Sequence, residues 1–325
     1  MIIKLKKVVI FEAIIILILI AAFIISYSTN IKIEKQRTNG LLSPRIYTGL
    51  IEPKSFMITN FLPLKQDIQN YIKENNFNVS VYVENLRNGA FMGINEKTGF
   101  FPTSLNKLPV AILIMGKIEN KELSFDTMLQ ITESDRKDTS GELYKTKEQK
   151  LPLRILMEKL LQESDNTALS VLLNTLNPDD LQLMLDYYGI DINLPSQKGR
   201  VESLLITPKA ISNLFTSLYF STVLESQDSE YLLSLLTRTT VDIKNAANIP
   251  DEVTIAHKYG ANYYANNQFF HDCGIMYIDE TRILYCIMTK DIADEKAIET
   301  IGFILNKIYN YVIDTKSRLG EYKKE

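Results

Sequence analysis

Val79, Val81 and Val83 alternate with Ser80, Tyr82 and Glu84, the period-2 spacing of a strand. Asn88-Gly89 follows, a pair that favours a tight hairpin turn, and a return strand is expected over residues 90–95. Just before this hairpin, Leu64, Ile68, Tyr71 and Ile72 fall on one face of a helix near 63–74. From about 104 to 225 the pattern is helical. Leu153, Leu156, Met157, Leu160 and Leu161 make the i, i+3, i+4, i+7, i+8 stripe of a core-facing helix. Thr207-Pro208 reads as an N-cap followed by proline at the first helical position. Strand patterns return over 253–260, 270–278 and 283–289, with a turn at Asp279-Glu280 between the last two. A final amphipathic helix carries Ile298, Ile301, Ile304, Leu305, Ile308 and Val312. No internal repeat is present. The first and last elements are expected to share one antiparallel sheet, with the helical middle packed on it. This is an α+β domain whose two parts meet at a cleft.

The amino terminus follows a different pattern. Val8 to Tyr27 is almost wholly apolar, with Glu12 its one charged residue, and twenty residues of helix span the roughly 30 Å core of a bilayer. Lys4, Lys6 and Lys7 precede the run, which keeps the amino terminus cytoplasmic and the rest of the chain outside. An uncleaved anchor is preferred to a signal peptide, whose apolar core is shorter and whose small-x-small cleavage site is not evident here. Residues 30–57, with Gly40, Pro44 and Pro53 and no sustained periodicity, read as a linker. The expected organisation is therefore an anchor over 1–29, a linker over 30–57 and one globular domain over 58–325.

Composition narrows the function. The net charge of −3, with no basic cluster beyond the anchor flank, argues against nucleic-acid binding. The only cysteines are Cys273 and Cys286, read as small buried strand residues, so the domain is expected to rest on core burial without a disulfide framework. No metal or cofactor is expected, because no pair of ligands has helix or knuckle spacing. His257 and His271 are the only histidines, and neither has a neighbouring nucleophile-elbow sequence that would make a Ser-His-Asp hydrolase.

Three short stretches carry candidate chemistry. Ser104-Leu105-Asn106-Lys107 opens an apolar run, and a helix starting there brings the Lys107 amine back to the Ser104 hydroxyl. The helix N-terminus would favour negative charge at the serine, and Leu108 and Val110 would desolvate Lys107 and lower its pKa. Ser134-Asp135-Arg136-Lys137 has the same spacing but lies in a polar loop. Ser164-Asp165-Asn166 comes sixty residues after Ser104 and is either a proton-relay hydroxyl with an orienting amide or simply the cap of a helix near Thr167. Lys258-Tyr259-Gly260 ends a late strand, where the glycine would admit a substrate backbone and the alternative is an exposed edge lysine.

In this order the three resemble the S-x-x-K, S-D-N and K-T-G set of class A β-lactamases and penicillin-binding proteins. The resemblance covers about Val79 to Val312 and extends to FFPTSLNKLPVAI, LQESDNTALSVLL, TPKAISNL, and HKYG followed by HDCGIMYID. It implies a β-lactamase/DD-peptidase-like fold with an antiparallel sheet and a helical subdomain. By the resemblance, Ser104 attacks a carbonyl and Lys107 takes its proton. Ser164 passes a proton to the leaving nitrogen, and Lys258 tunes the field. Asn166 orients Lys107 and a substrate amide, while the Ser104 and Ala261 N–H groups form an oxyanion hole beside Gly260. Tyr144 would stack on a ligand at the rim.

Two departures modify this expectation. Residues 189–208, GIDINLPSQKGRVESLLITP, are shorter than the family's loop and lack the E-x-x-L-N pattern of the deacylating glutamate. Glu202 and Asp191 are the carboxylates closest to that role, against the plainer reading of solvated side chains. Tyr259 replaces the small hydroxyl residue that helps bind a substrate carboxylate, and Cys273 stands where relatives place an assisting arginine. Tyr259 is expected to narrow the cleft. The leading reading is a membrane-anchored, outward-facing serine hydrolase that forms an acyl-enzyme with β-lactams and deacylates slowly. The alternatives are a DD-peptidase-like enzyme acting on peptidoglycan-like peptides and a non-catalytic scaffold. A scaffold would have Tyr259 filling the cleft.

Overall fold

The computed structural model describes residues 15, 16, 18–26, 60–189, 191, 192 and 204–322. The chain divides into two units, Met1–Ile58 and Thr59–Glu325. In the first, residues 15–16 and 18–26 are helical, and Ile18, Leu19, Phe23 and Ile25 are exposed. Among the described residues no helix is long and apolar enough to cross a membrane. Residues 8–14, 17 and 27 of the expected span Val8–Tyr27, and all of the linker, lie outside them.

The second unit begins with α1 (Leu62–Glu74), which buries Leu64, Ile68 and Ile72 one turn apart. The hairpin of β1 (Asn78–Asn85) and β2 (Phe91–Ile94) follows, with Val81 opposite Ile94. The middle of the chain supplies α2 (Lys107–Glu119), a short pair β3 (Met128–Gln130) and β4 (Lys150–Pro152), then α3 (Leu153–Gln162) and α4 (Asn166–Leu173). It continues with α5 (Pro178–Tyr187), a two-residue pair β5 (Asp191–Ile192) and β6 (Leu204–Leu205), α6 (Pro208–Tyr219), α7 (Ser226–Leu236) and α8 (Ile243–Ala246). Three long strands, β7 (Thr254–Tyr264), β8 (Asn267–Ile278) and β9 (Thr281–Lys290), lead to α9 (Asp294–Tyr322). The helical stretch expected over 104–225 is thus interrupted by two short strand pairs.

The main sheet has the order β2-β1-β9-β8-β7, all antiparallel. Pairing of β1 with β9 joins the two ends of the domain, as the alternation at both ends suggested. One face packs on α1 and α9 through Ile68, Val81, Ile287, Ile301 and Ile308. The other packs on the helical layer through Leu108, Leu156, Leu160, Phe215 and Leu284. Thr207 caps α6 by accepting from Ala210 N at 3.1 Å. Cys273 and Cys286 are fully buried strand residues but do not stay single: they lie opposite one another in the β8–β9 ladder and are joined as a disulfide. The bond joins residues 13 apart in sequence, and a loop of that size held closed in the unfolded chain is worth about 3 kcal/mol. β7 and β8 also run past their expected limits, meeting at Ala265-Asn266, both left-handed and neither a glycine.

Candidate active site

Phe100 bridges to Ile206, and the chain then turns sharply through Pro102 and Thr103. Thr103 has φ +52°, a rare conformation for a β-branched residue, and its hydroxyl donates to Pro102 O at 2.6 Å. Ser104 lies in the 3₁₀ turn Thr103–Asn106, with α2 beginning at Lys107 itself and not at the serine. The one-turn spacing survives: Lys107 Nζ donates to Ser104 Oγ at 2.8 Å. The equally spaced Ser134 and Lys137 do not reproduce this, since Lys137 Nζ donates to the Ser134 carbonyl.

Lys107 is buried and reaches three acceptors at once: Ser104 Oγ, Ser164 Oγ at 3.2 Å and Asn166 Oδ1 at 2.6 Å. Burial lowers its pKa to about 8, partly opposed by the Asp165 carboxylate. The amine is therefore still mostly protonated at neutral pH, with about a tenth in the neutral form.

The second motif divides its labour. Asp165, not Ser164, is the cap: its Oδ1 accepts from Ala168 N at 2.8 Å, and α4 starts at Asn166. Its Oδ2 accepts from Leu143 N at 2.9 Å. Ser164 is fully buried with φ +56°, which turns its hydroxyl toward Lys107. Asn166 spans the site, its amide donating to Thr139 Oγ1 at 2.6 Å while its oxygen accepts from Lys107. Gly141 lets this strap close, because it has φ +82° and a Cβ there would fall 2.0 Å from Asp165 Oδ2.

On the other side of the cleft, β7 alternates faces. Lys258 is fully buried, pairs across the ladder with Cys273, and donates to Tyr259 O at 2.9 Å. Burial, then the nearby Lys107 cation, hold its pKa well below the usual lysine value, with Asp272 working the other way. Gly260 passes against the nucleophile turn: a Cβ there would meet Thr103 Oγ1 at 2.0 Å and Ser104 N at 2.8 Å. Ala261 follows, exposed at the strand edge.

Tyr259 faces away from Lys258 and Gly260. It packs with the α1–α9 core, its ring stacks near Phe270 at 6.4 Å, and its hydroxyl lies 3.2 Å from Thr240 Oγ1. The expected narrowing of the cleft is absent, because strand alternation sends residue 259 to the opposite face. Cys273 shares the face of Lys258, and the residue opposite Tyr259 is Asp272. Tyr144 is half-exposed with Lys145 Nζ 5.5 Å from its ring, in the turn that follows the Asp165 strap. Asp191 lies in β5, and Glu202 lies outside the described residues.

Both histidines carry partners that the sequence did not signal. His257 sits behind the sheet between Asp272 Oδ2, at 2.7 Å, and Thr239 Oγ1, at 2.5 Å. Asp272 Oδ1 also accepts from the buried Tyr285 hydroxyl at 2.6 Å. His271 lies on the cleft face, bonded to Phe101 O.

The model of the beta-lactamase enzyme family matches residues 63–312. The chain belongs to that family. Among curated relatives, beta-lactamase VEB-1 of Pseudomonas aeruginosa is 22% identical over 244 residues, covering 70% of this chain and 81% of that protein. The fold is shared with the structure of PBP-A, at TM-score 0.69, 20% identity and coverage of 78% of this chain and 97% of that one. An acyl-enzyme complex of a PBP-A variant with penicillin G gives TM-score 0.70 at 19% identity, covering 79% and 98%. The TLA-1 extended spectrum beta-lactamase gives TM-score 0.69 at 19% identity, covering 77% and 98%.

Proposed function

We propose that the protein is a serine acyl-enzyme with Ser104 as nucleophile, acting on β-lactams or a related amide. One observation carries the reading: a single buried amine, Lys107, is held by both motif serines and by Asn166. Neutral Lys107 takes the Ser104 proton as Oγ bonds the acyl carbon. The C–N bond then breaks, and the proton returns through Ser164 to the departing nitrogen. The developing oxyanion is received by the N–H groups of Ser104 and Ala261, a role supported by the contact of Gly260 with Ser104 N. Lys258 lies on the same strand as Ala261, with burial and the Lys107 cation disfavouring its charged form. A scaffold role is disfavoured because Tyr259 packs against the α1–α9 core and does not fill the cleft.

Release of the acyl group is the slow step of this proposal. The carboxylate that acts on Lys107 is Asp165, and both of its oxygens are taken by backbone N–H groups. It is a structural anion, not a base. The interval 189–208 lacks the expected glutamate pattern. A DD-peptidase-like activity on cell-wall peptides shares acylation, and slow release of a β-lactam fits it equally. Labelling with a fluorescent penicillin tests the common step: wild type should retain the label through denaturing electrophoresis, and Ser104→Ala should not. Equal labelling of both would remove Ser104 from the role.

The exposed apolar residues of 18–26 and the Lys4-Lys6-Lys7 flank support an anchor with the domain outside. Protease added to intact cells should degrade the domain. Its survival would reject that orientation.

A further inference from the structure

His271 is fully buried on the cleft face of β8, directly opposite Gly260 in the ladder. Its Nε2 lies 2.9 Å from Phe101 O, and its Nδ1 lies 3.3 Å from Thr289 N on β9. A carbonyl only accepts and an N–H only donates. The two contacts are therefore met together by one species, the neutral ring with its proton on Nε2. Burial favours the same species, lowering the pKa to about 4. The ring is clamped edge-on by Phe100 at 5.6 Å and by Phe269 at 6.0 Å.

Phe101 stands three residues before Ser104, and the intervening turn holds the left-handed Thr103. A conformation of that kind costs on the order of 1–3 kcal/mol and persists only where its surroundings fix it. The Thr103 hydroxyl and Gly260 restrain the turn from within and from β7. His271 restrains it from β8, its ring bonded to Phe101 O at one end and to Thr289 N of β9 at the other.

We propose that His271 is a positioning residue for the nucleophile, a two-ended hydrogen-bonded strut that holds Ser104 N–H against β7 in the geometry the oxyanion needs. The inference rests on the Ser104 acyl-enzyme reading, since only a reaction at Ser104 makes that geometry matter. The imidazole touches no reacting atom. It contributes to the rate of acylation and not to the affinity for substrate.

The test compares wild type with His271→Leu, which fills the space without polar atoms, and His271→Gln, whose amide can donate to Phe101 O and accept from Thr289 N. Stopped-flow acylation by a reactive penicillin separates the maximal rate from the half-saturating concentration. The Leu variant should acylate about 10²-fold more slowly at unchanged half-saturation, and Gln should recover most of the loss. A Leu variant that is less heat-stable but acylates at the wild-type rate would overturn the proposal, as would Gln no better than Leu. Should Leu fail to fold, ¹⁵N spectra of the wild type decide: a neutral His271 with its proton on Nε2 supports the strut, and any other form contradicts it. Should wild type form no adduct, the Ser104 reading fails separately. The Ser104 amide resonance then still judges the strut, which predicts a shift in Leu that Gln restores, and an unmoved resonance in Leu contradicts it.

Discussion

Replacing Lys107 by methionine should make the protein more stable and nearly inactive. In the native state burial lowers the amine from 10.5 to about 8. A difference of 2.5 (10.5 − 8) at 1.36 kcal/mol each is about 3 kcal/mol of stability withheld at neutral pH. Below about 8 both the folded and the unfolded amine are charged, and the penalty is complete. Between about 8 and 10.5 the unfolded lysine still binds a proton that the folded one has lost, so stability rises with pH. Above 10.5 both are neutral and the penalty is gone. Methionine keeps the apolar stem and removes the charge. It leaves Asn166 Oδ1 and two hydroxyls without their donor, which takes back about 1 kcal/mol or more of the gain. Denaturant unfolding of both proteins from pH 7 to pH 10.5 should give a net advantage to Lys107→Met of about 1–2 kcal/mol at pH 7, shrinking or reversing as pH rises. Acylation should be about 10²–10⁴-fold slower in the variant. The wild-type rate should climb roughly tenfold from pH 7 to pH 9 as the neutral amine grows from about a tenth to about nine-tenths. A stability difference that ignores pH, or a wild-type rate flat over that range, would refute the assignment of Lys107 as a buried base.

Gly260→Ala should slow acylation by at least about 10²-fold, because its methyl collides with Ser104 N as well as with the Thr103 hydroxyl; an unchanged stopped-flow rate would mean that β7 does not abut the nucleophile. Gly141→Ala should cost roughly 2 kcal/mol or more in urea unfolding, since a left-handed backbone and the Asp165 carboxylate both oppose a side chain there. Asp272→Ala should cost about 3–5 kcal/mol by leaving buried Tyr285 and His257 without their shared acceptor; a near-neutral Tm would show that this network stores little. Tyr259→Thr should leave penicillin acylation within a few-fold of wild type, because the ring faces the α1–α9 core; a large gain would place it in the cleft.

The sheet was legible because its signals are local: Val79, Val81 and Val83 at one end and the late strands at the other each carry their own period. The Ser104–Lys107 contact was legible for the same reason, being one helical turn long. Contacts between distant segments left no local trace. His271 meets Phe101 across 170 residues, and Asn166 finds Thr139 in a polar loop with no periodicity. The pairing of Cys273 with Cys286 depended on a register that composition does not encode. The orientation of Tyr259 was available all along. Neighbours on a strand point to opposite faces, so a buried cleft-facing Lys258 already sent Tyr259 the other way. Reading K-Y-G as one cleft-lining unit overlooked that alternation. The Ala265-Asn266 hairpin was missed because its left-handed turn contains no glycine.

The central claim is a covalent bond at Ser104, and intact-mass measurement with a panel of β-lactams tests it most directly. The protein should gain the mass of one β-lactam, mapped to the peptide holding Ser104, with a burst of about one equivalent before slow or absent turnover. Ser104→Ala should gain none. Fast multiple turnover would contradict the slow release, and the absence of an adduct with every β-lactam, in a folded protein at a pH above 8, would contradict the acyl-enzyme itself.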